Sequence, residues 1–109
     1  MSYSILLTKR FEKEIKRLAK KFPSLKQEFS EFVNALKSNP ELGTSIGNSC
    51  FKIRLSIASK GKGKSGGARV ITYLYVKSET LYLLSIYDKS EKESISDKEL
   101  KELLSSLEL

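Results

Sequence analysis

The side chains with chemical potential in this chain are cations and phenols rather than the usual acid–base groups. Residues 51–76 hold Lys52, Arg54, Lys60, Lys62, Lys64 and Arg69, six cations with no Asp or Glu among them. The rest of the chain is more balanced: seven cations and two acids over 1–22, two and three over 23–50, five and eight over 77–109. The full 109 residues carry 20 Lys or Arg against 13 Asp or Glu, a net charge of +7, and no histidine. The missing histidine removes any Ser-His-Asp or Cys-His device and most zinc sites. Cys50 is the single cysteine, so it cannot form an internal disulfide, and a reducing compartment fits best.

Lys and Arg clustered with Tyr and without carboxylates suit a phosphodiester. Cations neutralise the phosphate and stabilise the charge that develops on it, and arginine does so with two parallel hydrogen bonds. A lysine or phenol crowded by cations has its pKa lowered, so either could move a proton. Carboxylates are missing where a metal would be needed, so no metal or other cofactor is expected. RNA is the natural substrate for such a set, because its 2′-OH supplies the nucleophile.

The elements that must position these groups follow from periodicity. Tyr3 to Leu7 reads as a short strand, and Thr8 as the N-cap of a helix reaching about Lys21 with Phe11, Ile15, Leu18 and Phe22 in one stripe. Pro23 interrupts it. Ser24 restarts a second helix with Leu25, Phe29, Phe32, Val33 and Leu36 on one face, and the short connection implies a helical hairpin. Residues 39–49, with Pro40, Gly43 and Gly47, read as loop.

From Cys50 the period is two. Phe51, Ile53, Leu55 and Ile57 alternate with Lys52, Arg54 and Ser56. Residues 59–67 form a Gly-rich basic loop. Arg69–Val76 and Leu81–Tyr87 are strands joined by a tight turn over Lys77–Thr80, an antiparallel hairpin. Strict alternation puts Leu81, Leu83, Ser85 and Tyr87 on one face and, extended, brings in Lys89. Ser96-Asp97-Lys98-Glu99 has the form of a capping box before a helix with Leu100, Leu103, Leu104 and Leu107 on one side.

The expected fold is therefore α+β, one domain over 1–109 in the order β-α-α-β-β-β-α. The helical hairpin covers one face of an antiparallel sheet. Lys52, Arg54, Arg69, Tyr87 and Lys89 converge on the other, with Lys60, Lys62 and Lys64 at its rim for RNA. No apolar run approaches the roughly 18 residues that span a bilayer. Lys9 and Arg10 follow the first apolar stretch, the wrong order for a signal peptide, so the expected location is the cytoplasm.

One motif misleads. Ala58 followed by Gly63-Lys64-Ser65 matches a relaxed phosphate-binding loop, but that loop needs a helix next, whereas Gly66-Gly67 and a strand follow here.

Three stretches carry a family resemblance: Cys50-Phe51-Lys52-Ile53-Arg54, then Gly61 through Tyr73 with its Gly63-Lys64-Ser65-Gly66-Gly67-Ala68-Arg69 core, then Leu84 through Lys92. Together they resemble RelE/HigB-type toxins of bacterial type II toxin–antitoxin modules, the middle stretch a HigB branch in particular. The resemblance spans about residues 3–107. It implies a ribosome-dependent mRNA endonuclease that enters the A site, where the ribose 2′-OH attacks the adjacent phosphate and leaves a 2′,3′-cyclic phosphate and a 5′-OH. It implies that Lys52 and Arg54 match basic residues of the second strand, Arg69 the phosphate-stabilising arginine, and Lys89 the acid for the leaving 5′-oxygen. Family members place a tyrosine a few residues further on as base. This chain has Ser94-Ile95-Ser96 there, so Tyr87 or a lysine of lowered pKa must substitute. The implied partners are the bacterial ribosome, mRNA, and a cognate antitoxin of the kind that carries a helix-turn-helix DNA-binding domain. Two other readings share the same features: a ParE-like toxin acting on DNA gyrase, and a non-catalytic RNA-binding module.

Overall fold

The computed structural model describes residues 3–60 and 67–107, the side chain of Lys60 excepted. The expected rim cations Lys60, Lys62 and Lys64 therefore lie outside the described side chains. The elements run β1 (Ser4–Leu7), α1 (Lys9–Lys21), α2 (Leu25–Ser38), β2 (Thr44–Gly47), β3 (Cys50–Leu55), β4 (Ala68–Tyr75), β5 (Thr80–Asp88) and α3 (Asp97–Ser105). They build an α+β fold on a five-stranded sheet ordered β1-β5-β4-β3-β2. The expected element order is present with one strand added, and β1 joins β5 in parallel while the other pairs are antiparallel. No described helix is long and apolar enough to cross a membrane.

The added strand lies in the stretch read as loop. Thr44–Gly47 pairs with β3 because Asn48 and Ser49 both take left-handed backbone, with φ 55° and 60°. Two consecutive residues of that kind make the turn whose twist matches a hairpin, and Asn adopts it readily. Four residues flanked by glycine carry too little alternation to register as a strand.

Local signals fix the helices. The Thr8 side chain accepts the Phe11 amide at 3.1 Å and Ser96 accepts the Glu99 amide at 3.1 Å, each satisfying an orphan donor of the first turn. Thr8 also donates to the carbonyls of Leu83 and Leu84, tying the start of α1 to β5. The stripes of α1 and α2 pack with Ile53, Leu55, Val70, Leu74, Leu81 and Leu83 into the larger core cluster. On the opposite sheet face Leu100 and Leu103 of α3 bury Cys50, Ile71, Leu84 and Tyr87. That face is thus half covered, where the sequence suggested it was open.

The alternation expected for β5 breaks. Ile71 pairs with Ser85 but Thr72 pairs with Leu83, so Leu84 is an extra residue, a β-bulge. Leu81 and Leu83 face the helical hairpin, whereas Tyr87 belongs to the α3 cluster. The four residues expected on one face are divided between two, because the bulge shifts the phase of everything after it.

Candidate functional site

Register places the cations. Arg54 on β3 lies directly opposite Arg69 on β4, and Arg69 directly opposite Tyr87 on β5. Side chains opposed across antiparallel strands share a face, so these three form one row on the α3 side. Lys52 stands one row along, opposite Ile71. Two like charges directly opposed are destabilising, and such a pair persists in a sheet only when something else requires it. Gly67 closes the open end of the row: a Cβ there would meet the Leu55 carbonyl at 2.4 Å, and the Gly67 carbonyl accepts the Lys89 amide at 3.1 Å. That bond holds the backbone of Lys89 just past the end of β5. Its ammonium points into the following turn and donates to the Glu93 carbonyl at 2.7 Å.

Arg69 is buried, 7% exposed, and its one described side-chain hydrogen bond runs to its neighbouring Ala68 carbonyl at 3.2 Å. Arg54 is exposed and Lys52 half-buried. Among the described residues, Lys52, Arg54 and Arg69 have no ion pair. The ion pairs lie elsewhere: Arg17 and Lys21 hold Glu91 at 2.8 and 3.4 Å, Arg10 holds Glu14 and Glu99 at 3.3 and 3.1 Å, and Lys92 holds Glu99. Glu91 and Glu99, which follow β5, are thus engaged by α1 and by Lys92 of the turn before α3, and among the described residues the row's cations have no acidic partner.

Tyr87 behaves differently from the expectation. Its hydroxyl is buried without a hydrogen-bond partner among the described residues. Burial pushes its pKa above the usual phenol value; Arg69 pulls it down by less, and Glu99 pushes it further up. A lowered phenol pKa is thus contradicted: the pocket that packs the ring under α3 desolvates the phenolate more than Arg69 stabilises it. Tyr87 is a proton holder at neutral pH. Cys50, fully buried, has its thiol pushed up to about 11 by desolvation, so it is packing and not a nucleophile.

Sequence reasoning missed two residues beside this row. The Lys92 ammonium lies 5.6 Å over the centre of the Tyr87 ring. Glu99, expected as the reciprocal partner of a capping box, turns its carboxylate to Arg10 and Lys92 instead. Two cations outweigh one neutral amide. No periodicity signals Lys92, because it sits in the irregular turn between β5 and α3.

Fold and face together define a small basic α+β protein whose sheet carries a row of cations on one face. The family described as the RelE toxin of the RelE/RelB toxin–antitoxin system matches residues 4–107. The chain belongs to the RelE toxin family. Its fold is similar to that of an arginine-to-alanine double mutant of the E. coli toxin RelE in the free state, with a TM-score of 0.67 at 16% identity, covering 99% of this chain and 100% of that one. The isolated E. coli RelE toxin gives a TM-score of 0.62 at 15% identity, covering 97% and 100%. The intact E. coli RelBE toxin–antitoxin complex gives 0.59 at 16% identity, covering 78% and 94%.

Proposed function

We propose that this chain is a ribosome-dependent mRNA endonuclease, the toxin of a toxin–antitoxin module, acting in the cytoplasm where ribosomes are. The observation that carries this reading is the row Arg54–Arg69–Tyr87, cations and a protonated phenol with no carboxylate paired to them among the described residues. The substrate's 2′-oxygen attacks phosphorus, the P–O5′ bond breaks, and the products are a 2′,3′-cyclic phosphate and a 5′-OH. Arg54 and Arg69 stabilise the extra negative charge on the phosphoryl oxygens, and Tyr87 donates a hydrogen bond to one of them. Tyr87 holds its proton and Lys52 is a cation, so the 2′-OH proton passes to water, and Lys52 on the same face adds positive charge beside the phosphate. Lys89, just beyond the row, gives its proton to the leaving 5′-oxygen. Lys60, Lys62 and Lys64 add contacts to flanking phosphates. The chemistry draws its nucleophile from RNA itself, so it calls on no metal at the protein. The partner that silences it is a cognate antitoxin, as RelB is in complex with RelE.

The test is translation in vitro of a defined message followed by primer extension and analysis of the new ends. Cuts in A-site codons with cyclic phosphate ends are expected, with no effect on DNA supercoiling by gyrase. Arg69→Ala should slow cleavage by roughly 10²–10³, the scale for losing one transition-state donor. A rate within threefold of the wild type would remove Arg69 from the site. No cutting by wild-type protein that binds ribosomes would overturn the reading.

A further inference from the structure

Lys92 holds its ammonium over the Tyr87 ring, yet it has no part in the chemistry set out above. Its position is built. Its ammonium stands 5.6 Å over the ring, its side chain is 30% exposed, and it is paired with Glu99. Glu99 is fixed in turn: its amide is held by Ser96 at the start of α3, and Arg10 approaches its carboxylate from α1 at 3.1 Å. That carboxylate also acts on the Tyr87 phenol electrostatically, so it lies within reach of the row. The row Arg54–Arg69–Tyr87 therefore continues beyond β5 into Lys92, and its last cation differs from the others in carrying an internal counter-ion.

We propose that Lys92 is a further phosphate-contacting residue of the RNA site and that the Glu99 carboxylate occupies it in place of an RNA phosphate until substrate arrives. The inference rests on the reading of this face as an RNA site. A phosphodiester and a carboxylate offer the same oxygens to an ammonium, and the half-buried, partly exposed setting lets one replace the other without burying a bare charge. When RNA binds, Lys92 passes from Glu99 to the phosphate, and Glu99 keeps Arg10 as its partner. Glu99 therefore opposes RNA binding while Lys92 favours it.

A purely structural role for the pair makes the opposite forecast, since breaking a brace from either end has the same consequence. The experiment compares Lys92→Met, which keeps the aliphatic stem over the tyrosine ring, with Glu99→Gln, which keeps the shape of the acid. Binding of a fluorescent single strand, with deoxyribose at the cleavable positions, is measured by anisotropy across salt concentrations, and each variant is checked by thermal unfolding. Lys92→Met should weaken binding about 3- to 10-fold and flatten the salt slope by about 0.7, the value of one phosphate contact on a single strand. Glu99→Gln should tighten binding, with the slope unchanged or steeper. Shifts in the same direction for the two variants, or a salt slope for Lys92→Met within 0.2 of the wild type, would overturn the proposal. The binding assay contains no ribosome. A protein that fails to cleave in translation but passes it loses the nuclease reading and keeps this one, and the reverse result separates them the other way.

Discussion

Arg54 and Arg69 should trade stability against activity, and the exchange can be measured. They are directly opposed on neighbouring strands, one exposed and the other 7% exposed, with no ion pair to either among the described residues. For two like unit charges taken about 7 Å apart at an effective dielectric of about 60, closer to water than to protein interior, the repulsion is about 0.8 kcal/mol. Screening leaves about 0.6 kcal/mol at 20 mM salt and less than about 0.1 at 1 M. A domain of this size gains roughly 4–8 °C in Tm per kcal/mol. Arg54→Gln should therefore melt about 2–5 °C above the wild type at 20 mM salt and level with it at 1 M, while mRNA cleavage falls by about 10². Differential scanning fluorimetry over a salt series gives the first number and primer extension the second. Inorganic phosphate should stabilise the wild type more than the variant. A variant that melts at or below the wild type in low salt would refute the repulsion. A gain that persists at 1 M would assign it to something other than charge.

Tyr87→Phe removes a buried hydroxyl that lacks a partner among the described residues. It should leave stability unchanged or raise it by up to about 1 kcal/mol, while lowering cleavage. The raised phenol pKa predicts that the wild-type rate shows no base-limb attributable to Tyr87 near neutrality, checked by comparing pH–rate profiles of the two proteins. Gly67→Ala forces a Cβ against the Leu55 carbonyl at 2.4 Å and should cost about 1–3 kcal/mol, read from chemical denaturation. Hydrogen bonds from Lys92 first, and then from Arg10, hold the Glu99 carboxyl below its ordinary value of 4.5, and Arg17 first, then Lys21, do the same for Glu91. A depressed carboxylate contributes stability above its unfolded-state pKa and loses it as pH falls through the folded one. Protection of α3 amides against exchange should therefore weaken as pH falls below about 4.5, and Glu99→Gln should remove part of that dependence.

Legibility in the sequence followed the range of the forces involved. Thr8, the two helical stripes and the leucine face of α3 rest on contacts within a turn or two, and each is visible as a spacing. Arg54 and Arg69 were readable because antiparallel alternation carries their faces along the strand. β2 was not, because its pairing depends on left-handed backbone at Asn48 and Ser49, which no side-chain pattern announces. Glu99 misled because a capping box is a local rule, and the cations that outcompete it come from α1 and from the turn after β5. The lowered phenol pKa failed for the same reason: proximity to cations was legible, but the burial of Tyr87 under α3 was not.

The bulge at Leu84 joins these threads. From Leu83, which faces the helical hairpin, unbroken alternation would put Tyr87 on the hairpin side with it. The extra residue reverses that phase, so Ile86 enters the larger core and Tyr87 turns to face Arg69. The strand tolerates the insertion because β1 ends opposite Leu83. Beyond that point the free edge is satisfied by Glu14 of α1, which accepts from the Ile86 amide at 3.2 Å and the Ser85 hydroxyl at 2.9 Å. An acid of the first helix thus does two things. It replaces the missing neighbour strand at the one place where β5 departs from regular pairing, and it keeps its charge on the edge of the sheet, away from the arginine row. Local irregularity and segregated charge have a common origin here, in a short first strand that hands its place in the sheet to a helix.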